Sequence, residues 1–424
     1  MFKSKKLFYV LLIFLSLSLV LSPISSADWP MFQKSPDHIG YVDEPSDFVN
    51  NLWTINLGSN TNSTPIVKDD SLYAISSDGV LHSIDLKNGT VNWTYKFSNS
   101  ISASPVIKGD ILYVGDLNGN FYAFNTSSKT LKWTFSNPKP IESSAVVDKN
   151  NVYVTADNGH VYSLDIKDGD KKWDKEIGGK LKSSPVVSSG TIYFGSTNGG
   201  VYALKTSDGS SKWNFTTGDA VLASPAVKGD RLAIGSVDNT FYVINTSNGN
   251  LIWKEEMANK VVSSASIDEY NNNIYVGDDS GNMTCFDLRD GKTKWSYQTG
   301  GSVQSTPAFY NDTIAFTSND GSLYILNKFS GKENMTYGPG YYLFNSKITS
   351  SPVIIGNTLI LTANDGNVYS LNLLKQITPI SVYVWYDIII IIVLIIIIGV
   401  LISLNKKRKA KKPIKKKHIR NFNR

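Results

Sequence analysis

The 424-residue sequence contains a single cysteine, Cys285, so no disulfide bond within the chain can stabilise it. Its four histidines, His38, His82, His160 and His418, are far apart and show no metal-ligand spacing. The sequence also lacks a Gly-x-Ser-x-Gly motif, a phosphate-binding loop and a zinc motif. Stability must therefore come from packing, with Cys285 predicted to be a buried and inert thiol in an apolar strand.

What the sequence does contain is a tryptophan that recurs at a fixed step of 40 residues, with one final step of 42. A strict period of this size indicates a chain built from copies of one structural unit. Because the tryptophans recur at one position of the unit, we interpret them as packing groups between units rather than as stacking platforms. They are Trp53, Trp93, Trp133, Trp173, Trp213, Trp253 and Trp295.

Each unit reads as four short strands. It begins at a small residue before proline or alanine, as at Thr64-Pro65, and continues with runs rich in Val, Ile, Tyr and Phe. Asx-Gly pairs such as Asp78-Gly79 separate these runs, and glycine-bearing turns at this spacing exclude the long helices of HEAT-type repeats. Eight copies can be aligned, which predicts an all-β fold: an eight-bladed β-propeller of four-stranded blades.

The last copy predicts how the ring closes. It lacks a fourth strand, and the position expected for its tryptophan is Ile380. A spare strand, 52–57 with Trp53, precedes the first complete unit at the spacing of a fourth strand. We therefore expect this N-terminal strand to complete the eighth blade, which would remove a free sheet edge.

The two ends of the chain predict export and anchoring. Three lysines, an apolar stretch and Ser25-Ser26-Ala27 are typical of a secretory signal, with an uncleaved anchor as the alternative. Near the C-terminus a run of Ile, Leu and Val is long enough to span a bilayer as one transmembrane helix. The predicted organisation is a signal peptide (1–27), a lead-in segment (28–50), the propeller (51–374), a linker (375–381), the transmembrane helix (382–404) and a basic tail (405–424).

Charge supports this topology. The tail carries eleven Lys or Arg residues and no acid, so the positive-inside rule places it in the cytoplasm and the propeller outside the cell membrane. Without the tail and the three signal lysines, 42 − 11 − 3 leaves 28 basic residues against 36 acidic ones. The exported part therefore carries a net negative charge and lacks the basic surface typical of nucleic-acid binding, so we predict no nucleic-acid partner.

Asn-x-Ser/Thr sequons are frequent, and several fall in predicted turns of the exported part, where N-linked glycan could attach. A chain this rich in Asn, Ser and Thr produces most of them by chance, so their use is left open. The candidates are Asn62, Asn88, Asn92, Asn125, Asn214, Asn245, Asn282, Asn311 and Asn334.

The repeat resembles a known family. An apolar run, an Asx-Gly pair, a run such as Val161-Tyr162-Ser163-Leu164-Asp165, a second turn and a tryptophan are similar to the PQQ-like (quinoprotein) β-propeller repeat. The lead-in Asp28-Trp29-Pro30-Met31-Phe32 is also similar to that of these proteins, and the resemblance extends from about Asp28 to Leu374. The family includes quinone-dependent dehydrogenases, the non-enzymatic scaffold of the bacterial outer-membrane assembly machine, and surface proteins of archaea and bacteria.

The resemblance alone would permit a quinone-dependent enzyme, which the residues argue against. Such enzymes have adjacent cysteines near the cofactor and a calcium ion beside a catalytic aspartate, whereas this chain has one cysteine. Calcium needs about six to eight oxygen ligands, and the acidic residues here, such as Asp85, Asp165 and Asp287, recur at one repeat position. Recurrence indicates a turn role, so we predict no catalytic residues, no metal and no cofactor.

Function in a repeat protein is expected where the copies differ. The sixth unit has two extra residues within 268–273, and the seventh has Met335 in place of the tryptophan. The connection after Met335 is five residues longer than its counterparts and contains Tyr341, Tyr342 and Phe344. These three aromatics are either a plug over the junction of blades 7 and 8 or a partner-binding loop.

The sequence therefore favours a membrane-anchored extracytoplasmic propeller that acts as a scaffold and binds an envelope protein or a glycan. The alternatives are a quinoprotein-like oxidoreductase, a hydrolase with an unrecognised site, or a passive structural part of the cell surface. The sequence does not identify the ligand.

Overall fold

The computed structural model describes residues 53–337 and 346–372, which form eight antiparallel sheets of four strands each. Each sheet is one blade, numbered here from 1 to 8 along the chain. The predicted all-β, eight-bladed propeller is confirmed. Among the described residues, the helical secondary structure is limited to a 3₁₀ turn at Glu269–Asn271, within the two-residue insertion of the sixth unit.

The strands of each blade are given from the inner to the outer position. Blade 1 contains β2 (Ile66–Lys68), β3 (Ser71–Ile75), β4 (Val80–Asp85) and β5 (Val91–Lys96); blade 2, β6 (Val106–Lys108), β7 (Ile111–Gly115), β8 (Asn120–Asn125) and β9 (Thr130–Ser136); blade 3, β10 (Val146–Asp148), β11 (Asn151–Thr155), β12 (His160–Asp165) and β13 (Lys171–Glu176); blade 4, β14 (Val186–Ser188), β15 (Thr191–Gly195), β16 (Gly200–Lys205) and β17 (Ser211–Thr216).

The second half of the ring repeats this pattern. Blade 5 contains β18 (Ala226–Lys228), β19 (Arg231–Gly235), β20 (Thr240–Asn245) and β21 (Leu251–Glu256); blade 6, β22 (Ser266–Asp268), β23 (Asn273–Gly277), β24 (Asn282–Asp287) and β25 (Thr293–Gln298); blade 7, β26 (Ala308–Tyr310), β27 (Thr313–Thr317), β28 (Leu323–Asn327) and β29 (Glu333–Tyr337); blade 8, β30 (Val353–Ile355), β31 (Thr358–Thr362), β32 (Asn367–Asn372) and β1 (Trp53–Asn56).

Blade 8 contains strands from both ends of the sequence. Strand β1 pairs antiparallel with β32, with Trp53 opposite Ser370 and Asn56 opposite Asn367. The predicted closure by an N-terminal strand is therefore confirmed. It places the two ends of the described propeller in one sheet.

The second and third strands of the blades are the most buried. Both have apolar residues on both faces, as in β3 and β4, whereas the outer strands alternate between covered and exposed positions. The β-branched and aromatic residues of these runs suit a strand that packs against a neighbouring sheet on either side. Apolar clusters accordingly combine residues of adjacent blades, such as Val106 and Phe121 of blade 2 with Val152 and Leu164 of blade 3.

The Asx-Gly pairs form the turns between the second and third strands. Gly79 has a φ of 87°, and its N–H donates to the Ser76 carbonyl at 2.8 Å. A Cβ on Gly79 would lie 2.1 Å from the carbonyl oxygen of Asn99, so both the backbone conformation and the close approach of the next connection require glycine. The Asx-Gly signal in the sequence thus has a packing reason as well as a turn reason.

The connections divide between two faces. Turns between the second and third strands lie beside the connections between blades, as the bond from Ser77 N–H to the Asn60 carbonyl shows (2.7 Å). We call this side the loop face. Turns between the first and second strands lie beside those between the third and fourth, as the bond from Leu86 N–H to the Asp70 carbonyl shows (2.9 Å). We call this side the turn face.

A ring of hydroxyl groups links the blades where their inner strands contact one another. The N–H of Ser144 donates to Ser184 Oγ at 3.0 Å, and Ser351 N–H donates to Thr64 Oγ1 at 3.2 Å, which joins blade 8 to blade 1. In each bond, a side-chain hydroxyl of the next blade accepts from a buried backbone N–H that would otherwise lack a partner. Bonds of this kind, which we call the hydroxyl ring, join Thr64 to Ser104, Ser104 to Ser144, Ser144 to Ser184, Ser184 to Ser224, Ser224 to Ser264, Thr306 to Ser351 and Ser351 to Thr64.

Within residues 53–337 and 346–372, no helix has the length and apolar character needed to cross a membrane. The predicted signal peptide, lead-in, linker, transmembrane helix and basic tail lie outside the described residues, so they remain predictions.

Candidate functional site

The recurring tryptophans lie on the outer strands and reach the next blade. The indole N–H of Trp213 donates to the Thr246 carbonyl at 2.9 Å, and its ring covers the α-carbon side of Gly249. A Cβ at Gly249 would lie 2.8 Å from Trp213 Cδ2. The same pairing of an indole with the next blade is present at Trp53, Trp133, Trp173, Trp253 and Trp295.

The seam between blades 1 and 2 departs from this pattern. No indole hydrogen bond is found for Trp93 among the described residues, and the position of the facing glycine is taken by Lys129. Lys129 has a φ of 58°, and its ammonium lies 5.9 Å from the centroid of the Trp93 ring.

In blade 7, Met335 replaces the tryptophan. It pairs with Ile325 as the tryptophans pair in other blades, so the strand register is unchanged by the substitution.

The aromatic loop predicted to bind a partner, with Tyr341, Tyr342 and Phe344, lies outside the described residues. The three therefore remain a prediction. Strand β29 ends at Tyr337, and the described chain resumes at Ser346 before blade 8.

The sequon asparagines fall into two groups. Asn125 and Asn245 are half-buried, and each accepts hydrogen bonds from backbone N–H groups of its own turn, as from Ser127 to Asn125 (3.0 Å). Asn282 is also half-buried and donates to Ser280 Oγ. The remaining side chains belong to exposed residues that a glycan could reach: Asn62, Asn88, Asn92, Asn214, Asn311 and Asn334.

A charged group that sequence reasoning missed lies on the loop face next to the hydroxyl ring. Glu142 and Lys182 occupy the same register in blades 3 and 4, two residues before the ring serines. Lys182 Nζ lies 2.9 Å from Glu142 Oε1 and 3.0 Å from Oε2, which joins the two blades. The opposite charges at one register position, 40 residues apart, were the available signal for this contact.

Asp157 lies beside this pair. Its carboxylate is 3.4 Å from Lys180 Nζ and 4.0 Å from Lys182 Nζ, and its side chain is only 4 % exposed. One carboxylate oxygen, Oδ1, is buried and has no hydrogen-bond partner among the described residues. A buried acceptor of this kind is unfavourable unless it is satisfied by water or by a donor from a partner. We call Glu142, Asp157, Lys180 and Lys182 the inner-rim cluster.

Polar contacts also cross other seams at the register position of Glu142 and Lys182, two residues before the hydroxyl ring. Gln304 of blade 7 donates to Asp279 of blade 6 at 2.8 Å, and Thr349 of blade 8 lies 3.4 Å from the Asn62 amide oxygen of blade 1. The corresponding residues of blades 5 and 6 are Leu222 and Val262. The inner rim of the loop face therefore differs from blade to blade, unlike the strands beneath it.

The side chains that could take part in metal chemistry are dispersed or buried in the described part of the chain. No group of three His, Cys, Asp or Glu side chains in residues 53–337 and 346–372 could hold a metal ion. Cys285 is fully buried in β24, and this burial raises the pKa of its thiol to about 12. His82 is also buried, which lowers its pKa, whereas His160 contacts Asp174 at 3.0 Å; His38 and His418 lie outside the described residues. These residues do not fit a calcium–quinone site.

Four-stranded blades of about 40 residues, closed by the N-terminal strand, define a β-propeller of the PQQ-like repeat class. The family described as outer membrane protein assembly factor BamB matches residues 50–103, 96–220 and 174–376. Because these matches cover most of the chain, the protein belongs to this family. No curated protein sequence matches it.

Solved structures share the fold at low identity. BamB from Moraxella catarrhalis is 18 % identical with a TM-score of 0.66, covering 76 % of this chain and 100 % of its own. The computationally designed Ika8 protein is 15 % identical with a TM-score of 0.67, covering 75 % and 97 %. The quinohemoprotein alcohol dehydrogenase from Comamonas testosteroni is 14 % identical with a TM-score of 0.69, covering 83 % and 81 %. At these identities the likeness concerns the fold alone.

Proposed function

We propose that the protein is a membrane-anchored extracytoplasmic scaffold that binds another envelope protein through the loop face of its propeller. Membership of the assembly-factor family supports a protein-binding role. The observation that carries the choice of face is the inner-rim cluster, where Asp157 keeps an unsatisfied buried oxygen beside an exposed Lys180. An N–H or O–H group of a partner would complete this acceptor.

The cluster suits recognition better than chemistry. Glu142 and Lys182 bind each other through both carboxylate oxygens, so the contact joins two blades and leaves neither group directed at a substrate. Their pairing joins blades 3 and 4, and Lys180, with 61 % of its side chain exposed, presents a positive charge that could steer a partner. A glycan with hydroxyl donors is the second ligand class that this surface could take.

The experiment places a photo-crosslinking residue at Lys180 in the full-length protein on intact cells. A matched control carries the same residue at Lys167, an exposed position on the turn face. We expect a defined protein adduct from position 180 and none from position 167. The same adduct from both positions, or none from either, would contradict the proposed face.

A charge variant tests whether the inner-rim cluster takes part. Lys182→Glu places a third carboxylate beside Glu142 and Asp157, and should reduce adduct formation at position 180 several-fold. The double variant Glu142→Lys with Lys182→Glu restores the pair in reverse and controls for lost blade contacts. Adduct yields that do not change with Lys182→Glu would exclude the cluster as the contact.

The membrane anchor rests on the sequence of 382–404 and the basic tail. Protease added to intact cells should remove the propeller and spare an epitope placed after Arg424. Degradation of that epitope on intact cells would refute the topology.

We propose further that the protein is not an enzyme. The alternative of a quinoprotein oxidoreductase draws on the shared fold with the quinohemoprotein dehydrogenase. Calorimetric titration of the purified protein with PQQ and calcium decides between them, since tight stoichiometric binding would favour the enzyme. A passive structural role is favoured if no adduct forms at all.

A further inference from the structure

The exposed apolar side chains of the propeller are unevenly distributed. Among the described residues, the large apolar side chains that are exposed number six, and five are at the turn face or at the adjoining ends of outer strands. Leu117, 37 % exposed, is on the loop face. The other five are Val91 (36 %), Leu131 (41 %), Leu251 (43 %), Tyr270 (83 %) and Phe329 (46 %).

The two aromatic members are held by a shared buried contact. Tyr270 lies in the 3₁₀ turn of the blade 6 insertion, which Asp268 caps by accepting from Asn271 N–H. The Asp268 carboxylate is 2.8 Å from Lys328 Nζ of blade 7, and this ammonium lies 5.1 Å from the centroid of the Phe329 ring. The insertion and the Phe329 turn are therefore fixed to each other across the seam.

Both ends of the described propeller lie on the same face as these aromatics. Trp53 opens β1 and bonds to Leu86 on the turn face, and Asn372 closes β32 opposite Thr358, the first residue after a turn-face turn. The apolar run begins at Val382, ten residues after Asn372 (382 − 372). Ten residues span at most about 35 Å, so a membrane entered by this run cannot be far from the turn face.

We infer that the turn face at blades 6 and 7 contacts a lipid bilayer, with Tyr270 and Phe329 entering the headgroup region. This inference rests on the proposed membrane anchor. Tyr is enriched at the membrane–water interface, and Phe is common on the apolar face of segments that lie there. The Asp268–Lys328 contact holds the two turns that carry Tyr270 and Phe329 beside each other. The contact leaves the loop face, with its inner-rim cluster, directed to the solvent and to a partner.

The test uses the full-length protein in phosphatidylcholine vesicles with brominated acyl chains. An environment-sensitive fluorophore is attached at Tyr270→Cys, which is permitted because Cys285 is buried. The matched control carries it at Leu117→Cys, the exposed apolar position of the loop face. We expect a blue-shifted emission that bromolipid quenches at position 270, and unshifted, unquenched emission at position 117.

The outcomes separate the anchor from the contact. Protein that floats with the vesicles but shows equal, unquenched emission at both positions keeps the anchor and overturns the contact. Equal quenching at both positions also overturns it, because a single face is then not selected. Protein that does not float overturns the anchor and the inference together. Phe329→Cys provides a second labelled position, and the inference requires it to behave like position 270.

Discussion

Lys328 and Asp268 form an ion pair inside the seam between blades 6 and 7. Nζ and Oδ2 are 2.8 Å apart, and the two side chains are 5 % and 2 % exposed. Their register positions hold Leu86 and Ser188 in blades 1 and 4. We expect Lys328→Leu to reduce the free energy of unfolding by about 3–5 kcal/mol, because it leaves a buried carboxylate without its cation.

The double variant Lys328→Leu with Asp268→Ser should recover most of this loss, since both charges are then removed together. Urea unfolding of the single and double variants measures the difference. A double variant as unstable as Lys328→Leu would show that the seam needs these side chains for shape rather than for charge pairing.

The seam between blades 1 and 2 can be strengthened. Lys129 adopts a φ of 58° at the position where other blades have glycine against a tryptophan. Lys129→Gly removes the cost of a side chain in the left-handed region and should stabilise the protein by about 1 kcal/mol. Differential scanning calorimetry should show a raised Tm.

The reverse change at an ordinary seam is the control. Gly249 has a φ of 75°, and an added Cβ would lie 2.8 Å from Trp213. Gly249→Ala should therefore lower Tm. If Lys129→Gly also lowers it, the contact of the Lys129 ammonium with the Trp93 ring outweighs the backbone cost.

The hydroxyl ring depends on the side-chain oxygen and not on the serine itself. Ser184→Ala would leave the buried N–H of Ser144 without its acceptor and should cost about 1–3 kcal/mol. Ser184→Thr keeps the oxygen, as Thr64 does at the same position, and should cost much less. Equal losses in both variants, measured by urea unfolding, would point to packing instead.

Acid should weaken one turn-face contact in a defined pH range. The Arg289 guanidinium, which donates to Asp287 at 2.9 and 2.7 Å, holds the pKa of Asp287 well below its ordinary value of 3.8. A depressed folded-state pKa stabilises the protein above the unfolded pKa, and the effect is lost as pH falls through the folded value. Asp287→Asn should therefore lower Tm near neutral pH and flatten its decline below about pH 4.

The comparison is made as the difference between the two Tm profiles, which removes the contribution of the other carboxyl groups. Parallel profiles at low pH would contradict the role assigned to Arg289.

Cys285 should report on opening of blade 6. Full burial and a pKa raised to about 12 leave almost no thiolate at neutral pH. N-ethylmaleimide should leave the native protein unmodified and label it fully in urea, as mass spectrometry would show. Rapid labelling of the native protein would mean that the thiol is accessible.

Much of the fold could be predicted because it rests on local signals. The hydrophobic runs and Asx-Gly turns set strand length, and the surplus strand at Trp53 together with the missing one near Ile380 identified the closure. The register inferred from the repeat also holds in the structure, since Met335 occupies the pairing position that tryptophan has in other blades. These features depend on residues close together in sequence or repeated at a constant step.

The contacts that distinguish one blade from another could not be predicted in the same way. Asp268 and Lys328 are in different copies and at different register positions, so only the packing of one blade on the next brings them together. Asp157 resembles an ordinary turn residue until the lysines of blade 4 are placed beside it. The aromatic loop at Tyr341 stays a prediction.

The pairing of β1 with β32 also sets the order in which the strands of the propeller can pair during folding. The ribosome makes Trp53 early, but its partner Ser370 appears only when nearly the whole propeller has been synthesised. Blades 1 to 7 need only neighbouring segments and can assemble as the chain emerges, whereas β1 remains without its partner throughout. The final step is therefore a long-range closure, and a chain interrupted before β32 carries an unprotected strand at its beginning, which makes truncated products targets for proteolysis or aggregation.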